Sequence, residues 1–338
     1  MKVWEIAAGA TSLDGLKRGE RPDPKPGPGE VKVRVRAASL NARDQGVVRG
    51  AYRGGPVRKP TVPLSDGAGE VAEVGPGVTR VKAGDKVCGI FCQGWIDGVF
   101  TPEMGETTLG SPLDGMLTEY AILSEQGVVK FPAALSFEQA ATLPCAAVTA
   151  WHALMARGRL EPGQWVLALG TGGVSVFALQ IAKAAGARCI LTSSSDDKLV
   201  RAKKMGADAT INYKTTPEWE KEVLRLTGGR GADHVIEVGG AGTLGKSVAA
   251  VATCGQVHQI GFLAGRETPF DLGAFVGKRA QLNGTFVGSR AMFEHMNAAF
   301  DANKVVPVVD RVFPFDQARQ AFEYQRSAAL YGKVVIAV

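Results

Sequence analysis

Apolar and polar residues alternate along two different periods in this chain, and the change between them divides it. Up to about residue 126 the pattern is strand-like and heavily punctuated. Pro22, Pro24, Pro26 and Pro28 form a rigid lead-in to VKVRVRAASL (31–40), whose alternation predicts a strand with one apolar face. Further strands with glycine turns are predicted in 64–78 and 82–90. A long irregular stretch, 91–112, carries Trp95, Phe100 and Met104, and loops of that length inside a compact domain are usually functional. Helical patterns follow at 136–142 and 147–157. Beyond them short apolar runs alternate with amphipathic segments: 166–169, 187–192, 209–213, 234–240, 256–262 and 280–286 read as strands. That succession predicts a parallel sheet covered on both faces. The tail returns to strand (311–315), helix (316–327) and a last strand (333–338).

The fold class expected is therefore α/β, a doubly wound parallel sheet plus a β-rich domain. The β-rich domain should comprise 1–126 completed by 306–338, with the parallel sheet in 127–305. A chain of 338 residues with 45% hydrophobic content and 43 glycines suits two such domains.

Residues 165–195 carry the clearest chemistry. The apolar run 166–169 is short and bounded, as a strand buried on both faces should be. Gly170-Thr171-Gly172-Gly173 then opens an apolar helix that ends at Gly186. Glycines let the main chain approach a pyrophosphate, and a helix N-terminus offers unpaired N–H groups and a positive dipole end. Ser175 stands where the third glycine of the dinucleotide fingerprint usually lies. The acid that binds a ribose 2′-hydroxyl belongs at the end of the second strand, but Ser193-Ser194-Ser195 is found there. Hydroxyls and the nearby Lys198 would accept a 2′-phosphate that a carboxylate would repel. NADPH is therefore expected in preference to NADH. Asp196 and Asp197 suit the first turn of the next helix.

The net charge of +6 comes from scattered basic residues, so no nucleic acid partner is indicated. The five cysteines, 88, 92, 145, 189 and 254, suggest no disulfide framework. The four histidines, 152, 234, 258 and 295, lack ligand spacing. The first residues lack the apolar core of a signal peptide, and no run reaches membrane-spanning length. A cytoplasmic protein without membrane partners is the expectation.

SLNARD (39–44), RGAY (49–52), LSDGAGEVAEVGPGV (64–78), LPCAAVTAW (143–151) and GTGGVS (170–175) together resemble the medium-chain dehydrogenase/reductase superfamily. The resemblance covers essentially the whole chain. It implies a GroES-like catalytic domain, a Rossmann domain and homodimers paired through the sixth strand of the parallel sheet. The motifs look most like the zinc-independent branch of quinone oxidoreductases and enoyl reductases. By motif position the three catalytic-zinc ligands of the zinc enzymes correspond to Asn41, Ser65 and Cys145, with Asp66 beside them. A catalytic zinc wants three protein ligands, so no metal is expected.

By the same resemblance Tyr52 and Asn41 are the candidate catalytic residues. Tyr52 would donate to a developing enolate, and Asn41 would donate its amide to a substrate oxygen. Asp44 is expected to orient backbone or pair with Arg43 or Arg49. Cofactor contacts are expected from Thr149, Gly170, Gly172, Gly173, Val174, Ser193, Ser194, Lys198, Tyr213, Gly239, Gly261, Phe262 and Val287. Trp95 and Phe262 would wall the substrate pocket together with Asn41 and Tyr52. The implied reaction is hydride transfer from NADPH to a small-molecule quinone or activated C=C, an enone or enoyl thioester. An alcohol dehydrogenase or ketone reductase, and a non-catalytic NADPH-binding protein, are the alternatives on this scaffold.

Overall fold

The computed structural model describes residues Met1–Val338. The chain forms two compact units, Met1–Val148 with Gly288–Val338, and Thr149–Val287. The boundaries expected at 126 and 306 thus fall at 148 and 288. The helix Arg290–Ala302 belongs with the first unit for a visible reason. Its first N–H groups donate to Trp95 O and Ile96 O, at 2.9 and 3.0 Å. Further along, Asn297 Nδ2 donates to Lys130 O at 2.9 Å.

In the first unit the strand Glu30–Ser39 is central. The sheet runs in the order Val309–Pro314, Lys333–Ala337, Glu30–Ser39, Asp66–Val74, Lys86–Gly89, Val128–Lys130, and Tyr120–Ser124 also pairs with the central strand. Val31, Val33 and Val35 bury their side chains, and Phe322, Val334 and Ile336 from the tail join the same core. Each such burial contributes about 1.5–3 kcal/mol. The register places Val335 opposite Ser39 on one side and Asp66 opposite Ser39 on the other. Gly69 is required where these strands approach, since a Cβ there would lie 2.2 Å from Arg34 O. A separate two-stranded sheet joins Lys2–Ile6 to Leu16–Glu20. The 91–112 stretch contains one short helix, Pro102–Gly105.

The second unit is a six-stranded parallel sheet in the order Ala209–Asn212, Arg188–Ser193, Trp165–Ala168, Ala232–Glu237, Val251–Gln259, Gln281–Gly284. Leu167, Ile190, Val235 and Val257 fill its core with no exposed surface. The predicted glycine-led helix is Gly173–Ala184, and the chain turns out of it at Gly186 with φ of +72°. The helix expected at 147–157 is interrupted, with π-helical turns at Leu143–Ala147 and His152–Arg157 around Val148–Trp151. No helix is long and apolar enough to cross a membrane.

Candidate active site

At the carboxyl end of the strand Trp165–Ala168 the second unit presents a bare glycine turn. Gly170 has φ of +75°, a conformation that disfavours any side chain. A Cβ at Gly170 or Gly172 would meet nothing within 4 Å, so open space lies over the turn. Gly172 caps the helix without a side-chain hydrogen bond, and Gly173 and Val174 begin its first turn. Free N–H groups at such a helix start can bind an anion, as the pyrophosphate of a dinucleotide. Gly170 N donates to Thr192 Oγ1 at 3.0 Å, joining the turn to the second strand. Ser175 occupies the third-glycine position because its buried hydroxyl donates to Leu169 O at 2.6 Å.

The triple serine stands at the end of the second strand, as its pattern predicted. Ser193 is buried, and its Oγ accepts the Ser195 N–H at 3.2 Å. Ser195 Oγ caps the next helix by accepting the Lys198 N–H. Half-buried Ser194 lies between them. Tyr213 N donates to Ser193 O at 3.0 Å, which brings the neighbouring strand end and the exposed Tyr213 ring to the same edge. No carboxylate stands among the three serines, and Asp196 is engaged with Asn212 Nδ2 at 2.8 Å.

Gly239 and Gly261 follow the next two strands. Glu237, which the sequence reading did not single out, organises them. Its carboxylate is completely buried and accepts the N–H groups of Gly239 and Gly240, at 2.7 and 3.0 Å, together with the Thr243 and Ser247 hydroxyls. Gly261 N donates to Glu237 O at 3.3 Å, and a Cβ on Gly261 would lie 2.7 Å from Val238 O. Phe262 is half exposed beneath the Arg266 guanidinium. Thr149 and Val287 are both buried, and Val287 O sits 2.7 Å from His152 Nδ1.

The first unit holds a second, separate cluster. Asn41 begins the helix Ala42–Val48 and is 7% exposed. Its backbone N–H donates to Asp44 Oδ2 at 2.7 Å, so Asp44 orients backbone as expected, with Arg43 3.5 Å away. Burial pushes the Asp44 carboxyl up to about 6, against the opposing charge of Arg43. Lys333, buried to 3% exposure, donates to Leu40 O at 2.6 Å and to Asn41 Oδ1 at 2.5 Å, and lies 4.0 Å from Asp66. Asp66 is fully buried and accepts from Ser65 Oγ at 2.7 Å and from Cys145 N at 3.1 Å. Burial raises its pKa, while Lys333, the Asn41 amide and Ser65 favour the charged form. Leu64, just before this pair, is buried with φ of +70°, a strained conformation of order 1–3 kcal/mol.

These residues do not suit a catalytic zinc. The three positions marked by resemblance hold an amide, a hydroxyl and a thiol, and an ammonium already contacts the first of them. Burial pushes the Cys145 thiol up, and the Asp66 charge pushes it further, away from the thiolate that zinc binds. Nowhere in the chain do three or more His, Cys, Asp or Glu side chains cluster suitably for a metal.

Tyr52 is half-buried, with its ring 4.4 Å from the Arg43 guanidinium and 5.7 Å from that of Arg53. Arg43 is in turn anchored on Leu109 O and Ser111 O. Tyr52 and Asn41 thus stand at opposite ends of one short segment, tied to it through Arg43 and Asp44. Trp95, expected to wall a pocket, is only 2% exposed. It packs edge-on against Phe100 with its indole N–H on Gly98 O. It anchors the 91–112 stretch and offers a substrate almost no surface. Lys333 was missed by sequence reading, although one charge leading the apolar run VVIAV was its signal.

The pattern of the alcohol dehydrogenase GroES-like domain matches residues 27–133, and that of the zinc-binding dehydrogenase matches 173–302. A zinc-type alcohol dehydrogenase-like protein of Schizosaccharomyces pombe is 48% identical over 89% of each chain. The crystal structure of an NAD-dependent alcohol dehydrogenase superposes with a TM-score of 0.91 at 36% identity, covering 100% of both chains. A quinone oxidoreductase of Pseudomonas syringae pv. Tomato DC3000 gives 0.83 at 28% identity, over 100% of this chain and 99% of that one. With both domain patterns matched and relatives aligned along nearly the whole chain, the chain belongs to the medium-chain dehydrogenase/reductase superfamily of NAD(P)-dependent oxidoreductases.

Proposed function

We propose that this oxidoreductase is a metal-independent, NADPH-dependent reductase of quinones or of C=C bonds conjugated to a carbonyl. The observation that carries this reading is that Asn41 and Ser65 stand with Cys145 at the three ligand positions, and that the Lys333 ammonium occupies the space between Asn41 and Asp66. Zinc would act as a Lewis acid on a carbonyl or alkoxide oxygen. This cluster offers a hydrogen-bond donor, the Asn41 amide, instead. Addition of hydride to the far carbon of an enone or quinone moves the negative charge onto the carbonyl oxygen, where such donors suffice.

When bound, NADPH supplies the hydride. The Gly170–Gly173 turn would hold its pyrophosphate, and Ser194 with Lys198 would take the 2′-phosphate that an acid at this strand end would repel. Asn41 Nδ2 would donate to the substrate oxygen, and the Tyr52 hydroxyl would hydrogen-bond the same developing charge or return the proton. An NAD-dependent alcohol dehydrogenase among the similar structures supports the competing reading of alcohol oxidation with NAD.

The homodimer is part of the proposal. The edge strand Gln281–Gly284 carries exposed Leu282, and the helix Leu272–Lys278 exposes Leu272 and Val276. Both suit edge-to-edge pairing of two copies.

The test is oxidation of NADPH and of NADH by metal-analysed protein, against a quinone, an enone, an enoyl thioester and a simple ketone. Turnover of a conjugated acceptor with NADPH at substoichiometric zinc supports the reading. Activity confined to alcohols and ketones, or proportional to bound zinc, refutes it.

A further inference from the structure

Asn41 carries a buried donor that is poorly satisfied: its Nδ2 has no well-formed hydrogen bond although the residue is 7% exposed. Its other end is fixed. Lys333 Nζ sits 2.5 Å from Oδ1, and an ammonium has only hydrogens to offer, so it can face only the oxygen of an amide. A flipped amide would set NH2 against NH3⁺. Asp66 lies close enough for the amide to favour its charged form, but Nδ2 makes no well-formed bond to it, and Asp66 also accepts from Ser65 and Cys145. The ammonium itself is fully engaged, with Leu40 O, Asn41 Oδ1 and Asp66 around it and 3% of the residue exposed.

We propose that Lys333 is the positioning residue of the reductase, locking the Asn41 amide by its oxygen so that Nδ2 is the end that donates to the substrate oxygen. Lys333 contacts no substrate; it acts through Asn41. In the superfamily's zinc enzymes a metal charge polarises the oxygen. Here a lysine charge fixes, and by its field acidifies, the amide that does so. This rests on the proposed reductase function only for the identity of the acceptor. The orientation of Asn41 stands on the geometry alone.

The experiment uses Lys333→Met and Lys333→Met/Asp66→Asn. The second variant removes the buried carboxylate that loss of the ammonium would leave unpaired. Turnover is measured by NADPH oxidation with 1,4-benzoquinone and cyclohex-2-enone, and NADPH affinity by fluorescence titration. Separately, side-chain amide spectra are recorded on protein labelled with ¹⁵N-asparagine. The expected result is a fall in kcat of about 10²-fold in both variants, the size of losing one positioned donor, with NADPH affinity unchanged. In an Asn41→Leu background Lys333→Met should cost nothing more. The Asn41 amide should give two separate, narrow proton signals in the wild type that shift and broaden in the double variant.

Wild-type kcat in the folded double variant, or an equal further loss in the Asn41→Leu background, overturns the proposal. If the wild type turns over neither probe, the reductase reading falls and the amide spectra alone decide: an Asn41 signal indifferent to Lys333 refutes the positioning role.

Discussion

His234 and His258 stack in the interior of the parallel sheet, ring centroids 5.6 Å apart, with Nδ1 of the first 3.3 Å from Nε2 of the second. Both are essentially without exposed surface, and His258 Nδ1 has no partner. Burial lowers His234 from 6.5 to about 4. For His258, burial and then the neighbouring His234 lower it to about 3. Both groups titrate lower in the folded state than in the unfolded one. Above pH 6.5 neither state binds the protons, and the pair imposes no penalty. As pH falls below 6.5 the unfolded chain gains protons that the folded chain refuses, so stability drops until the folded values are reached. At pH 5 each histidine is one and a half units below its unfolded value, which is about 2 kcal/mol per residue at 1.36 kcal/mol per unit. The pair should therefore remove about 4 kcal/mol between pH 7 and pH 5. Asp44 works in the other direction, because its raised pKa of about 6 makes the folded state bind protons more tightly between pH 6 and 3.8. That contribution is common to the wild type and a His234→Leu/His258→Leu variant and cancels in their difference. Urea unfolding at the two pH values is the assay. With a slope of roughly 3–4 kcal/mol per M for a chain this long, the wild-type midpoint should fall about 1 M further than the variant's. Equal falls in both proteins would refute the assignment of this acid sensitivity to the pair.

Ser194→Asp should weaken NADPH binding by a factor of about 30, roughly 2 kcal/mol of like-charge repulsion, and leave NADH binding equal or tighter. Fluorescence titration of both cofactors checks it, and an unchanged preference would remove the serines from the 2′-phosphate site. Glu237→Gln should lose about 2–3 kcal/mol of stability, since an amide cannot accept all four hydrogen bonds that the carboxylate receives. Cofactor affinity should drop with it as the Gly239–Gly240 turn loosens, which thermal melts with and without NADPH would show. Tyr52→Phe keeps the ring on Arg43 and removes only the hydroxyl. A kcat loss of about 10²-fold at unchanged melting temperature gives the phenol its chemical role, whereas unchanged kcat leaves Tyr52 as packing for Arg43.

The two candidate sites differ in how far they could be read from the sequence, and the reason is the range of the interactions that build them. The glycine turn is local: strand, glycines and helix lie within residues 165–184, and each contributes through its own backbone. Even Ser175, which departs from the glycine pattern, finds its partner at Leu169, six residues back. The Asn41 cluster is assembled by register. Val335 pairs with Ser39, so two residues earlier on the antiparallel strand the chain brings Lys333 beside Leu40 and Asn41. On the other side Asp66 pairs with the same Ser39. Residues 39, 66 and 335 form one row across three strands, and a shift of one residue in either pairing would send Lys333 or Asp66 to the opposite face. Periodicity announces the strands but not their alignment. The motif around Asn41 therefore pointed to one member of this buried cluster, while the lysine that contacts its amide, 292 positions away, became visible only once the sheet had closed. Trp95 shows the converse failure. A tryptophan in a long loop looks available to a ligand until Phe100 and the Gly98 carbonyl are found to have claimed its ring and its N–H.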